Sequence, residues 1–226
     1  LYTYDTAHLK CRILFNSAVF INLWKQHASI GIESLQEGYR SGLKTGDFQF
    51  ASYSINHLHI LAFFAGEPLQ DLTISFNKYR PLMRKARQTD AIQYYDMFDQ
   101  LVLKLQGRTT HRFKLTGPGF DEDEITRHWI DVNNMNTLAS LYVVKTMLHY
   151  LYEDYETALD YVEKADQCID GISGMIMTPI HSFFLILTLA ETSRTAAEPD
   201  RARYLKRIAI HLDKLRNWSE HCPDNY

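Results

Sequence analysis

The sequence predicts an all-α protein, and three observations predict it. Apolar residues recur at three- and four-residue intervals along nearly all of the 226 residues, whereas strict alternation is rare. Turn formers are few: 10 Gly and 6 Pro fall short of the punctuation that a sandwich or barrel requires. The 14 Tyr, 12 Phe and 3 Trp supply enough large apolar surface to fill a sizeable helical core.

The first helix is expected over about 7–26, with Leu14, Phe15, Ala18, Val19, Ile21 and Leu23 as its apolar positions. A second follows over about 29–44, closed by Gly46 as a left-handed cap. The third, about 48–65, ends at Gly66-Glu67-Pro68, and the fourth covers about 70–87. Thr89 is placed to cap the fifth, which carries Tyr94, Tyr95, Phe98, Leu101, Val102 and Leu105 and stops near Gly107. Residues 108–120, containing Gly117-Pro118-Gly119, form the one long loop. Asp121-Glu122-Asp123-Glu124 then reads as a helix start, because free N–H groups and the helix dipole favour acids there, in preference to a metal site. The remaining four helices are expected over about 136–151, 155–169, 176–193 and 199–218. Helices separated by such short turns pair as antiparallel hairpins.

One stretch carries a repeat signature, from His149-Tyr150-Leu151-Tyr152-Glu153-Asp154-Tyr155 through Ala158 and Leu159 to Ala165. It resembles the tetratricopeptide (TPR) repeat: an aromatic end to one helix, an Asp-Tyr turn, then a helix with small residues seven apart. Small side chains at Ala158 and Ala165 permit close helix approach, with Tyr155 and Leu159 filling the space beside them. The same spacing recurs at Gly31 and Gly38 and at Ala202 and Ala209, with a period of about 42–44 residues. In the second hairpin Asp71 and Lys78 occupy those positions instead. The resemblance implies a right-handed superhelix of about five TPR-like helical hairpins, an α-α superhelix spanning residues 1–226 as one domain. In such a stack the first helix of each hairpin lines a concave face, which nominates Val143, Met147 and Tyr150 as groove residues.

Chemistry-bearing patterns are scarce. The sequence holds no Gly-rich phosphate loop, no kinase triplets and no nucleophile elbow. His57 and His59 stand two apart, on different faces of a helix, so they do not share a metal. Glu153, Asp154 and Glu156 lie within one turn and read as turn residues, not as a catalytic dyad. No catalytic, cofactor-binding or metal-binding residue is assigned. A net charge of −3 gives nucleic acid no basis, and the basic run Arg80 to Arg87 suits a helix end. No apolar run reaches the roughly 18 residues of a membrane helix, so membrane insertion is not expected. Cys11, Cys168 and Cys222 fit neither a zinc site nor a disulfide framework, which favours free thiols in a reducing, cytoplasmic compartment. The start at Leu1, without Met or leader, reads as a piece of something longer.

Two aromatic-rich segments extend the resemblance. Leu14-Phe15-Asn16-Ser17-Ala18-Val19-Phe20-Ile21-Asn22-Leu23-Trp24 with Gly46-Asp47-Phe48-Gln49-Phe50-Ala51-Ser52-Tyr53, and the C-terminal Asn217-Trp218-Ser219-Glu220-His221-Cys222-Pro223-Asp224-Asn225-Tyr226, resemble the helical region of bacterial multi-sensor signalling kinases. Those proteins join a serine/threonine kinase domain, an AAA- or NACHT-like ATPase, this helical region, GAF modules and a sensor histidine kinase core. The resemblance implies a two-component signal-transduction setting, with kinase and ATPase activities residing elsewhere in the parent. This segment would be a non-catalytic scaffold coupling flanking domains or binding a protein partner. The alternative is a ligand- or peptide-sensing helical-repeat domain.

Overall fold

The structure, a computed structural model, describes residues 7–225. Ten α-helices account for most of them: α1 (Ala7–Phe20), α2 (Ala28–Thr45), α3 (Phe48–Phe64), α4 (Leu69–Ala86), α5 (Thr89–Leu105), α6 (Glu122–Asp131), α7 (Met135–Leu151), α8 (Tyr155–Asp166), α9 (Met177–Ser193) and α10 (Asp200–His221). Among the described residues the only strands are β1 (Thr116–Gly117) and β2 (Phe120–Asp121), an antiparallel ribbon inside the long loop. The fold is all-α. No helix among the described residues is long and apolar enough to cross a membrane.

Local chemistry sets most helix ends. Gly46 adopts φ 77°, the left-handed cap that lets α2 stop abruptly. Asp47 then starts α3 by accepting from the Phe50 N–H. Asn134 and Asp154 do the same for α7 and α8, accepting from Thr137 and Thr157. Thr89, expected as a cap, is instead the first residue of α5; Gln88 holds the cap position without a side-chain bond. The predicted first helix breaks at Phe20 into a short 3-10 turn, Asn22–Trp24, and the eighth ends at Asp166 before a second such turn, Ile169–Ile172.

The chain divides into two compact units, where the sequence suggests one repeat domain. Among the described residues, the first comprises residues 7–121 with Asn225, and the second residues 122–224. The division falls at the end of the long loop, so α5 and α6, the expected third hairpin, belong to different units.

In the first unit each helix packs against the next, and α3 also touches α1 and α5. Leu23, Leu35, Ile55, Leu61, Phe76, Tyr95, Met97 and Leu101 are buried there. Glycines bring α2 close to its neighbours. A Cβ on Gly42 would stand 2.9 Å from Ala51 Cβ and from the Asp47 carbonyl, and one on Gly31 would stand 2.9 Å from a Leu61 methyl. In the second unit α7 packs on α6, α8 and α9, and α9 on α8 and α10. Ala158 and Ala165 are fully buried, as the repeat pattern requires, beside Val162, Leu185, Leu189 and Tyr204. Ala202 and Ala209 are exposed instead. The helix α10 turns Tyr204 and Ile208 inward, and Tyr204 lies two residues, or about 200°, around the helix from Ala202.

Candidate functional site

The residues nominated for a concave groove are part of the core of the second unit. Val143 and Met147 are 1% and 4% exposed, so neither offers a ligand any surface. Tyr150 is half-buried, its ring 5.5 Å from that of Tyr155 and 5.9 Å from that of Phe184. The helix α7 contributes these residues to the space filled by α8 and α9, which accounts for their burial.

His59, His149 and the acids at the starts of α6 and α8 are engaged in structure. His59 Nδ1–H donates to the Ile55 carbonyl at 2.8 Å, and its Nε2 accepts from the Ser75 hydroxyl at 2.9 Å. The ring stacks on Phe76 at 4.0 Å, and burial pulls its pKa down to about 4. Asp154 caps α8 while binding His149 Nδ1 at 2.9 Å. Glu122, Asp123 and Glu124 occupy the first turn of α6, as the dipole favours. Glu122 also forms an ion pair with Lys145 on α7, at 2.8 Å, that no sequence spacing signals. Among the described residues no three His, Cys, Asp or Glu side chains converge in a way that could hold a metal ion. Cys11, Cys168 and Cys222 are buried thiols, not joined in a disulfide among the described residues.

Two cations of the basic run at the end of α4 are likewise paired. Arg80 reaches Asp96 at 3.0 Å and Asp99 at 2.7 Å, and Arg84 reaches Asp96 at 2.7 Å. Burial pushes the Asp96 carboxyl up to about 6 even with these two guanidinium groups beside it. The network clamps α4 to α5, and it draws two of the run's cations away from any phosphate.

That clamp holds one wall of an apolar cleft of about 410 Å³ in the first unit, between α2, α3 and α4. Tyr39 and Leu43 come from the last turns of α2, Phe48, Ala51, Ser52 and Ile55 from the start of α3, and Tyr79, Leu82, Met83, Lys85 and Ala86 from the end of α4. The Gly46–Asp47 turn sets the first two helices side by side, and contact at Gly42 and Ala51 brings them close. Ala51, Ser52, Ile55 and Met83 form a buried floor. The Ser52 hydroxyl donates to the Phe48 carbonyl at 2.8 Å, so the one polar floor atom is satisfied within the helix. The rim is open: Phe48 is 49% exposed, and Leu43 and Leu82 are each 41% exposed. Tyr39 and Tyr79 meet edge to face at 5.4 Å, and burial raises the Tyr39 pKa, the Tyr79 phenol acting in the same sense.

No protein-family model matches the chain, and no curated protein or solved structure is significantly similar to it. Function is therefore read from this cleft. Three large apolar side chains left half in water around a concave floor are a standing free-energy cost, which a docked apolar surface removes at about 25 cal/mol per Å². Sequence reasoning placed its groove on the first helix of a hairpin. The cleft instead lies between α2 and α4, the second helices of the first two expected hairpins, across the start of α3. Leu43 and Phe48, two large apolar residues flanking a capped turn, are the signal that could have pointed to it.

Proposed function

We propose that the chain is a non-catalytic, TPR-like scaffold of a multidomain signal-transduction kinase, and that it works by docking a protein partner or a flanking module of its own parent chain. The cleft between α2, α3 and α4 carries this reading. Its walls are apolar, its floor is buried, and its only charged lining residue is Lys85. That composition suits recognition of an apolar surface and offers no acid–base pair for chemistry. Contacts of α3 with both α1 and α5, and of α7 with α9, support hairpins stacked in the manner of helical repeats within each unit. The aromatic segments around Leu14–Trp24 and Gly46–Tyr53 support the signalling-kinase setting.

A peptide- or ligand-sensing domain is the second reading. It is favoured by a cleft volume within the range of small-ligand sites. The half-exposed rim weighs against it, since small ligands are held where 70–90% of their surface is covered.

The test is a binding selection on the whole chain with displayed helical peptides, alongside an ATP-turnover assay. The expected result is no turnover, and selected peptides that lose affinity for Leu82→Asp, which changes a half-exposed side chain and leaves the helical circular dichroism intact. ATP turnover abolished by a point substitution in the chain would overturn the scaffold reading. Peptides that bind Leu82→Asp undiminished would remove the cleft from it.

A further inference from the structure

The cleft's shape and charge narrow what fits it, given the docking reading above. Its walls are three helices, and the β1–β2 ribbon is not among its lining elements, so it has no sheet edge to receive a strand. An extended peptide would bring unpaired backbone groups onto an apolar floor, a cost that a helix avoids by satisfying its own. Apolar anchors at i, i+3, i+4 and i+7 on one helix face are the mode that such a groove serves.

Charge selects further. No carboxylate lines the cleft. Lys85 stands in its wall and makes no ion pair among the described residues. Lys78 holds its ammonium 5.2 Å from the Tyr79 ring, itself part of the wall. Asp47, beside Phe48 in sequence, is engaged in capping α3 and in a 2.8 Å pair with Arg12. The rim is therefore cationic, with no local acid to balance it.

Two other occupants fit less well. A lipid surface takes protruding apolar side chains, and here they border a concavity. In a second copy of the chain, the long helix α10 exposes Leu205 and Leu212. That helix carries Arg201, Arg203, Lys206, Arg207, Lys214 and Arg216 against three acids, Asp200, Asp213 and Glu220, so its charge opposes the lysine rim.

We infer that the α2–α3–α4 cleft receives the apolar face of an acidic amphipathic helix from a protein partner, its anchors over Ala51, Ile55 and Met83 and its carboxylates over Lys78 and Lys85. Exposed ion pairs are individually weak, so they set selectivity while the apolar anchors set affinity.

The experiment uses the full chain and three fluorescein-labelled helical peptides measured by anisotropy. One has Leu anchors with Glu flanks, one has the same anchors with Lys flanks, and one has Glu flanks with every anchor changed to Ala. The Glu-flanked Leu peptide is expected to bind about three- to tenfold more tightly than the Lys-flanked one at low salt, the gap narrowing as salt rises. The Ala-anchored peptide is expected not to bind. Lys85→Glu with Lys78→Glu, both at surface positions, is expected to reverse the preference while Leu-anchored peptides still bind. Equal affinity for both flanks, or a preference untouched by the lysine substitutions, overturns this inference and leaves the docking reading in place. Loss of all peptide binding, including by peptides selected from the library, overturns both. Anisotropy unchanged by peptide, with sedimentation on phosphatidylserine vesicles lost in the same lysine variant, overturns the inference in favour of a membrane.

Discussion

Lys145 and Glu122 offer a quantitative test of how the second unit is held together. The Lys145 ammonium lies 2.8 Å from one Glu122 carboxylate oxygen and 3.0 Å from the other, with side-chain exposures of 3% and 10%. At an effective dielectric of about 20, two unit charges this close attract by about 6 kcal/mol. Desolvating both ions costs a comparable amount, so the intact pair is near neutral in net stability. Removing one partner is different, because the other charge stays buried. Lys145→Met is therefore expected to destabilise the unit by about 3–5 kcal/mol, towards the lower figure because both side chains have further interactions. Glu122→Gln should cost a similar amount. The double variant should recover most of the loss, to within about 1 kcal/mol of the parent, so that two single losses of about 3 kcal/mol each give a coupling energy of about 5 kcal/mol. Urea unfolding followed by Trp129 fluorescence reads this directly, with Trp24 and Trp218 changed to Phe. Trp129 is buried in α6, the helix that begins at Glu122. Additive single effects, with coupling below about 0.5 kcal/mol, would refute the buried pair.

Three other outcomes follow from named contacts. Ala158→Leu should cost about 1–3 kcal/mol by overpacking a fully buried position, whereas Ala202→Leu, on the exposed face of α10, should stay within about 0.5 kcal/mol; thermal melts of the two variants compare them. Gly42→Ala gains about 1 kcal/mol of helix propensity but drives a methyl to 2.9 Å from Ala51 Cβ and the Asp47 carbonyl, so a net loss of about 1 kcal/mol in urea unfolding is expected. His59 is held neutral, with its pKa lowered to about 4 from 6.5 as are those of His57 and His211, so the unfolded chain binds more protons between those values and His59 supplies only part of the slope. Stability contributed by this residue is complete above about pH 6.5 and is lost as pH falls towards 4, and His59→Phe should flatten that part of the pH–stability curve.

Much of the fold was legible because its signals are local. Gly46 ends α2 by its own left-handed backbone and Asp154 starts α8 through a bond to Thr157 three positions away, and helical periodicity survives in a single sequence. Thr89 misled because a capping residue type one position late is still a good first residue. Ala202 and Ala209 misled because spacing along a helix does not fix its rotation against its neighbours, and packing turned Tyr204 inward. The ion pair of Lys145 with Glu122 and the cleft that Leu82 and Phe48 both line depend on residues on different helices. Neither has a sequence signature. The nominated Val143 and Met147 were recognised as apolar positions of α7, but periodicity alone does not distinguish a groove from a filled core.

The most direct test of the account is hydrogen–deuterium exchange of the chain with and without a saturating Glu-flanked, Leu-anchored helical peptide. Added protection confined to the end of α2, the start of α3 and the end of α4 is the predicted footprint. Protection centred instead on α7 and α9 around Tyr150, with α2 to α4 unchanged, would contradict it.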